Sequence, residues 1–357
     1  MKMEKLLELS VKQHASDLHL LPGLTPLLRI NGVLQPIKDQ ETISPDDAKQ
    51  LIYSVMTKEQ QTVFEHDLVF EMALSIHKIG NFRVSVLHQL NGIAAVFRVI
   101  TEKVPSFDEL NLPPVMKTLL ALTQGLILIT GPTGSGKTTT LAAMLDYINT
   151  YKACNIITIE DPIEYTHHSK KSVFHQIQIG RDTPNFSTAL RASLRQDPNV
   201  ILLGELRDLE TMRLALTAAE TGHLVLASLH AYSASVAINR FSDVFPSEEK
   251  NRVRNLLSET LQAVIFQTLV KKSSGGRVAA FEIMLATTPI RHFIRQDMTA
   301  HMDSTIQTSG DKGMCTLDQY LQQLVAKRII NEKVAMHVMV SRGSFKEMHN
   351  PNTANKK

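Results

Sequence analysis

The chain contains no tryptophan, and phenylalanine and tyrosine together bring the aromatic share to only 5%. Cysteine is almost as scarce. The two present, Cys154 and Cys315, lie far apart and outside any C-x-x-C spacing, which excludes a disulfide framework and a cysteine-based zinc site and fits a reducing cytoplasm. Neither sign of charge is in excess. The 38 Lys and Arg against 35 Asp and Glu leave +3, too little for the electrostatic footprint of a nucleic-acid binder, so no nucleic-acid partner is expected. Long apolar runs are missing as well. A membrane-spanning helix needs roughly 18 apolar residues or more, and the nearest approach, Leu261 to Val270, is interrupted by two glutamines. Membrane contact is therefore expected only through partners. The opening stretch Met1 to Leu9 intersperses charge among leucines and reads as a short amphipathic helix, not a signal peptide.

What is present is an ordinary globular composition, 43% hydrophobic and 20% charged, in 357 residues, enough for about two domains and a well-buried core. One stretch organises the rest. Gly131-Pro132-Thr133-Gly134-Ser135-Gly136-Lys137-Thr138, followed by Thr139, stands between the apolar run Gly125 to Thr130 and a helix-forming run to Asn149. It reads as a phosphate-binding loop. Glycines let backbone N–H groups converge on an anion, Lys137 can reach the outer phosphates, and the Thr138 hydroxyl can ligate Mg²⁺. The following helix adds its positive N-terminal end.

Before this loop the pattern is that of a sheet with helices. Ala15 to Leu20 starts an alternating segment, and Leu27 to Leu34 reads as a hairpin turning at Asn31-Gly32. Asp17 and His19 share one face of such a strand and read as polar residues at a strand start, with no third metal ligand nearby. Ser44 and Pro45 suit the cap and first turn of a helix, and residues 46 to 65 carry an amphipathic pattern for one or two helices. Asn81 to His88 and Ile93 to Ile100 read as two strands turning at Asn91-Gly92, with Phe82, Val84 and Val86 on one face and Arg83 on the other. By themselves Arg83 and Arg98 look like ordinary solvated arginines. Three prolines between Thr101 and Pro114 read as a linker.

After it, Val115 to Leu122 reads as a short helix. The runs Asn155 to Ile159, Val200 to Leu203 and Leu224 to Leu229 lack polar alternation and are separated by helical segments, which predicts a parallel sheet covered on both faces. Ligands bind at the carboxyl ends of such strands. Glu160-Asp161-Pro162-Ile163-Glu164 ends the first of them, three carboxylates within five residues. One is a candidate base for an attacking water, and another, with Glu160 as the metal-side choice, can hold Mg²⁺ through its hydration shell. Gly204-Glu205-Leu206-Arg207-Asp208 ends the second in a Walker B pattern, with Glu205 as the metal-side acid and Gly204 permitting close backbone approach. His230 ends the third and can contact the terminal phosphate or the water network. His223, seven residues earlier, faces the other way and is no partner for a joint metal site.

In this order, Ala15 to Leu20, the loop, the acidic box Glu160 to Glu164, Gly204 to Asp208, Thr211 through His223, the histidine box to His230, and Met314 through Gln319 resemble the type IV pilus retraction ATPases, the PilT family of the type II/IV secretion ATPase superfamily. The resemblance covers nearly the whole chain. It implies an α/β protein: an N-terminal α+β PAS-like domain over residues 1–100, a linker over 101–114, a RecA-like parallel-sheet P-loop ATPase domain with C-terminal helices over 115–340, and a flexible tail over 341–357. It implies that Glu164 is the catalytic carboxylate that positions water and that Glu205 serves Mg²⁺. Arg83 and Arg98 then reach a neighbouring subunit's nucleotide as arginine fingers, which requires an oligomer, a homohexamer in this family. ATP and Mg²⁺ are the implied cofactors. The implied setting is cytoplasmic, at the inner membrane through a pilus platform protein, with a related ATPase paralogue as a further partner.

The chain departs from the family at three places. Asn91 stands where an arginine is frequent, Ala231-Tyr232 follows His230 where Thr-Thr or Thr-Asn is common, and Pro289-Ile290-Arg291-His292-Phe293-Ile294-Arg295-Gln296 replaces AIRNLIRE. In the last, Ile290, Phe293 and Ile294 are expected as a buried stripe with the arginines on the outer face. The expected function is a hexameric ATP-hydrolysing motor for pilus retraction and twitching motility. Alternatives are a paralogous accessory retraction ATPase, a compact type IV secretion ATPase, and, from another class, a non-hydrolysing ATP-binding ring that assembles or regulates a motor. Extension and secretion ATPases commonly carry a large N-terminal extension and a four-cysteine zinc module, neither of which is seen in these residues, and a DNA translocase is disfavoured by the modest charge.

Overall fold

A computed structural model describes residues 2–30, 32–38, 40–100 and 103–339. The chain divides into two compact units, Met1–Lys103 with Glu164–Thr166, and Val104–Ile163 with His167–Lys357. The tail expected over 341–357 lies outside the described residues.

In the first unit α1 (Met3–Lys12) buries Met3, Leu6, Leu7 and Ser10, one face of a helix. Strands β1 (Asp17–Leu20), β2 (Leu27–Ile30) and β3 (Val33–Pro36) follow, then α2 (Pro45–Tyr53) and α3 (Lys58–Asp67). Ser44 accepts the Asp47 N–H and Pro45 opens the first turn of α2, as their residue types predict. A reciprocal Thr57–Gln60 capping box starts α3. Strands β4 (Val69–Ile76), β5 (Gly80–Gln89) and β6 (Gly92–Ile100) complete a six-stranded sheet in the order β3-β2-β1-β6-β5-β4. Asn31 lies outside the described residues, but the strands it was expected to join pair antiparallel with Ile30 opposite Val33. Phe82, Val84 and Val86 are fully buried together with Leu18 and Phe97. The sequence pattern did not predict β4. It is an edge strand with mixed exposure, so it lacks clean alternation and owes its form to pairing with β5 along its whole length.

The second unit begins earlier than the linker expectation placed it: Phe107 and Leu112, in the proline-rich stretch, are buried in its core. After α4 (Val115–Leu119) come β7 (Gly125–Thr130), α5 (Lys137–Tyr151), β8 (Asn155–Glu160), β9 (Val173–Gln178), α6 (Phe186–Ser193), β10 (Val200–Leu203), α7 (Leu209–Glu220) and β11 (Leu224–Leu229). Then follow α8 (Ala234–Asp243), α9 (Ser247–Thr260), β12 (Leu261–Lys271), β13 (Arg277–Leu285), α10 (Thr288–Arg295), α11 (Met302–Thr308), α12 (Leu317–Ala326) and α13 (Glu332–Val338). The seven strands lie in the order β13-β12-β7-β11-β10-β8-β9, parallel throughout except for β13. Both faces are covered. Leu126 and Leu128 of β7 pack into one apolar layer with α6 to α9, while Ile127 and Ile129 pack into the other with α4 and α5.

Three elements of this sheet differ from the sequence expectation. The apolar run Leu261 to Val270 makes up β12 except for its last residue, between β7 and β13, because β-branched and aromatic residues suit a strand buried on both faces. Its partner β13 and the edge strand β9 carry too little apolar periodicity to be read in advance. On α10, Ile290 and Ile294 are buried as expected, but Arg291 does not lie on an outer face. Its guanidinium turns inward and donates to the carbonyls of Ser258 and Glu259, at the C-terminal end of α9.

Candidate nucleotide site

The loop from Gly131 to Gly136 leaves the carboxyl end of the fully buried β7 and enters α5 at Lys137. Gly136 is the N-cap residue, in the left-handed region at φ 86°, and no side chain caps the helix, so the first N–H groups of α5 are not taken by a capping side chain. Gly131 is held by close approach: a Cβ there would lie 2.3 Å from the Gln267 carbonyl oxygen. Lys137 Nζ donates to the carbonyls of Gly131 (2.9 Å) and Pro132 (3.1 Å), which places its charge at the mouth of the loop. Two hydroxyls at the site, Thr130 Oγ1 and Ser135 Oγ, are buried without a hydrogen-bond partner. Unpaired donors beside uncapped helical N–H groups, in a cradle that only glycine permits, fit a phosphate chain.

Around the carboxyl ends of β8, β10 and β11 the structure gathers a charged cluster. Glu205 divides its carboxylate, Oε2 accepting from Arg207 Nε (2.8 Å) and Oε1 lying 3.2 Å from His230 Nε2. Arg207 also reaches Asp161 Oδ2 at 3.1 Å, so it ties the acidic box to the Walker B segment, and the Glu205 carboxylate holds its guanidinium more firmly protonated. Gly204 sits between strands where a Cβ would approach Ile159 O to 3.2 Å, which explains glycine at that step. His230, Ala231, Tyr232 and Arg240 line a cleft of about 250 Å³ together with Gly131, Pro132 and Thr133. A larger groove, about 770 Å³, starts at Gly136 and Thr139 and runs past Gln267 toward Arg277 and Arg328.

Of the remaining expected residues, Glu160 stays beside this cluster, at the carboxyl end of β8 and against Gly204. Glu160 is buried and accepts from Thr158 Oγ1 (2.7 Å) and Gln176 Nε2 (3.3 Å). His223 does not join the cluster: its Nδ1 lies 3.0 Å from the Ala218 carbonyl. Among the described residues no group of three or more His, Cys, Asp or Glu is arranged to hold a metal ion. Glu164 groups with the first unit, as do Arg83 and Arg98. There, strand register places Arg29 opposite Asp17, Asp17 opposite Arg98, and Arg98 opposite Arg83, one row across β2, β1, β6 and β5. Like charges directly opposite repel. Buried Asp17 offsets this, accepting from Arg98 Nε at 2.9 Å, and Glu71 accepts from Arg83 at 2.9 Å. Asp17 thus has an ion-pairing role that its reading as a strand-start residue did not foresee.

Two residues at the nucleotide site had no role assigned from sequence. Arg207 lay inside the Walker B stretch but nothing local marked its link to Asp161. Gln267 was visible only as a polar interruption of an apolar run, which is itself the signal: a buried strand tolerates an amide only where both its ends find partners.

Comparison with known proteins follows the same lines. A family model described as type II/IV secretion system protein matches residues 2–342. A Pseudomonas aeruginosa type IV pilus retraction ATPase, PilT, is 52% identical over 338 residues, covering 94% of this chain and 97% of that one. A Neisseria gonorrhoeae twitching motility protein is 44% identical over 312 residues, 87% of this chain and 83% of its own. Among solved structures, the pilus retraction motor PilT with bound ADP superimposes with a TM-score of 0.92 at 40% identity, covering 98% of this chain and 100% of that one. No helix among the described residues is long and apolar enough to cross a membrane.

Proposed function

The chain belongs to the type II/IV secretion system protein family, whose relatives here are ATPases, and from that premise we propose that it is a hexameric ATP-hydrolysing motor that powers type IV pilus retraction. The observation that carries the retraction reading is the similarity to the P. aeruginosa retraction ATPase along 97% of that protein's length. In this reading Gly131 to Thr139 bind the triphosphate, with Lys137 on the outer phosphates, and the groove beside Gly136 takes the nucleoside. Thr138, with Glu205 and Glu160 on the metal side, would hold Mg²⁺, which when bound neutralises charge on the outer phosphates.

The chain's own groups then divide the work. His230, oriented by Glu205, contacts the terminal phosphate, and Glu164 holds the attacking water. Arg83 and Arg98, side by side on one face of the first unit's sheet, meet the charge that develops on a neighbouring subunit's nucleotide, an effect worth about 10³ to 10⁵ in rate in other nucleotide hydrolases. That step requires a ring. The motor acts in the cytoplasm and reaches the inner membrane through a platform protein.

Phosphate release from the purified full-length protein tests the enzymatic half, and pilus retraction in cells lacking the gene tests the mechanical half. Lys137→Ala and Glu164→Gln are each expected to lower turnover by about 10²-fold or more. A folded Glu164→Gln protein with near-normal turnover removes that residue from the mechanism, and a wild-type ring that binds ATP without releasing phosphate favours the regulatory reading instead.

A further inference from the structure

We propose that Gln267 is a positioning residue for the phosphate loop, a side-chain strut that holds the loop in its anion-binding shape before the nucleotide arrives. β12 runs parallel to β7 with Phe266 opposite Thr130, so Gln267 stands one position beyond the last pair, where the loop begins. It is only 2% exposed. Its Nε2 donates to the Ser135 carbonyl at 2.7 Å and its Oε1 accepts from Thr140 Oγ1 at 2.7 Å. One amide thereby joins the end of the loop to the first turn of α5. The same residue limits the loop from both sides: a Cβ on Gly131 would meet its carbonyl oxygen at 2.3 Å, and one on Gly136 would meet its Nε2 at 2.9 Å.

The physical need is clear from the loop's composition. Gly131, Gly134 and Gly136 all have positive φ, at 147°, 76° and 86°, and a loop with three such glycines has a large conformational entropy when nothing restrains it. An unrestrained loop would order only on binding and lose affinity by that amount. A glutamine amide donates at one atom and accepts at the other, which neither glutamate nor methionine can reproduce, and burial leaves no water to substitute.

The inference rests on the loop being the site for the phosphates of ATP. The experiment is titration of the full-length protein with ADP and with ATP, alongside steady-state turnover and melting temperature with and without ADP. Gln267→Met, which strands both the Ser135 carbonyl and the Thr140 hydroxyl, is expected to raise the ADP Kd and the ATP KM about tenfold or more, while kcat changes less. The shift in melting temperature on adding ADP should shrink in parallel. Thr140→Val breaks one end of the strut and should weaken binding severalfold, whereas Thr140→Ser keeps the hydroxyl and restores it. A purely structural residue would lower the melting temperature of the ligand-free protein and leave Kd and KM in place; that result with Gln267→Met overturns the proposal. If Gln267→Met does not fold, the Thr140 pair decides, and wild-type ADP affinity in Thr140→Val overturns it equally. A wild-type protein that binds no ADP would instead sink the nucleotide reading itself.

Discussion

Glu282 on β13 is 9% exposed, and its Oε1 accepts the Ala234 N–H at 2.7 Å, the first residue of α8. The Leu317 N–H, where α12 starts, also favours the carboxylate. Burial pushes its pKa up from the ordinary 4.5, with Asp303 and Asp318 adding to the effect, while the two N–H groups oppose it. Glu282→Ala strands the Ala234 N–H at about 1–3 kcal/mol, whereas Glu282→Gln keeps a carbonyl oxygen that can accept it. The sign of the pH dependence follows from linkage. Below the unfolded value near 4.5 both states are protonated; Glu282→Ala shows its full deficit there, and Glu282→Gln, close in shape and acceptors to the protonated carboxyl, shows little. As pH rises past that value the unfolded carboxyl ionises first and folding must take up a proton. Wild-type stability then falls by about 1.4 kcal/mol for each pH unit until the folded carboxyl ionises too. Neither variant titrates there, so as pH rises above about 4.5 the deficit of Glu282→Ala is expected to narrow and Glu282→Gln to gain on the wild type. Urea unfolding across that range measures it, and hydrogen exchange at Ala234 and Leu317 reads the contact in place. A deficit that widens with pH, or a Glu282→Ala protein no weaker than Glu282→Gln, refutes the reasoning. The consequence reaches the site, because α8 begins just after His230 and carries Arg240.

His167 should show the opposite slope. Burial pushes its pKa down from 6.5 to about 4, with the ring stacked on Phe174 at 4.6 Å, so stability is present above 6.5 and lost as pH falls toward 4; His167→Phe is expected to flatten the melting temperature between those limits. Because the two windows overlap with opposite sign, each must be read as a difference between variant and wild type. Arg291→Ala removes the cation from the last carbonyls of α9 and is expected to cost about 1–2 kcal/mol, with Arg291→Lys recovering part of it, measured by thermal unfolding.

The glycine-rich loop before α5, the strands that precede the carboxylates and histidine, and the cap at Ser44 were legible because each rests on local residue types: glycine where φ is positive, a short polar cap, unbroken apolar runs. The edge strands β4 and β9 were not, since pairing with a neighbour and not their own pattern forms them. The inward turn of Arg291 was hidden for a similar reason. On a helical wheel it belongs to the polar face, and its acceptors come from the end of α9 beside it and from Gln262 of β12.

Local residue types and apolar runs set which groups are on offer, a glycine-rich loop with its lysine after one parallel strand and acids and a histidine after the others, because each of these rests on neighbours in the chain. Tertiary structure alone decided which groups meet. Strand register set Arg83 opposite Arg98, with Asp17 offsetting the repulsion, Arg207 joined Asp161 to Glu205, and β12 brought Gln267 against the loop. Apart from Arg207 and Glu205, two residues apart, the hydrogen-bonded partners lie far from each other along the chain, and no local pattern of apolar and polar positions encodes which distant partner a buried polar group will find.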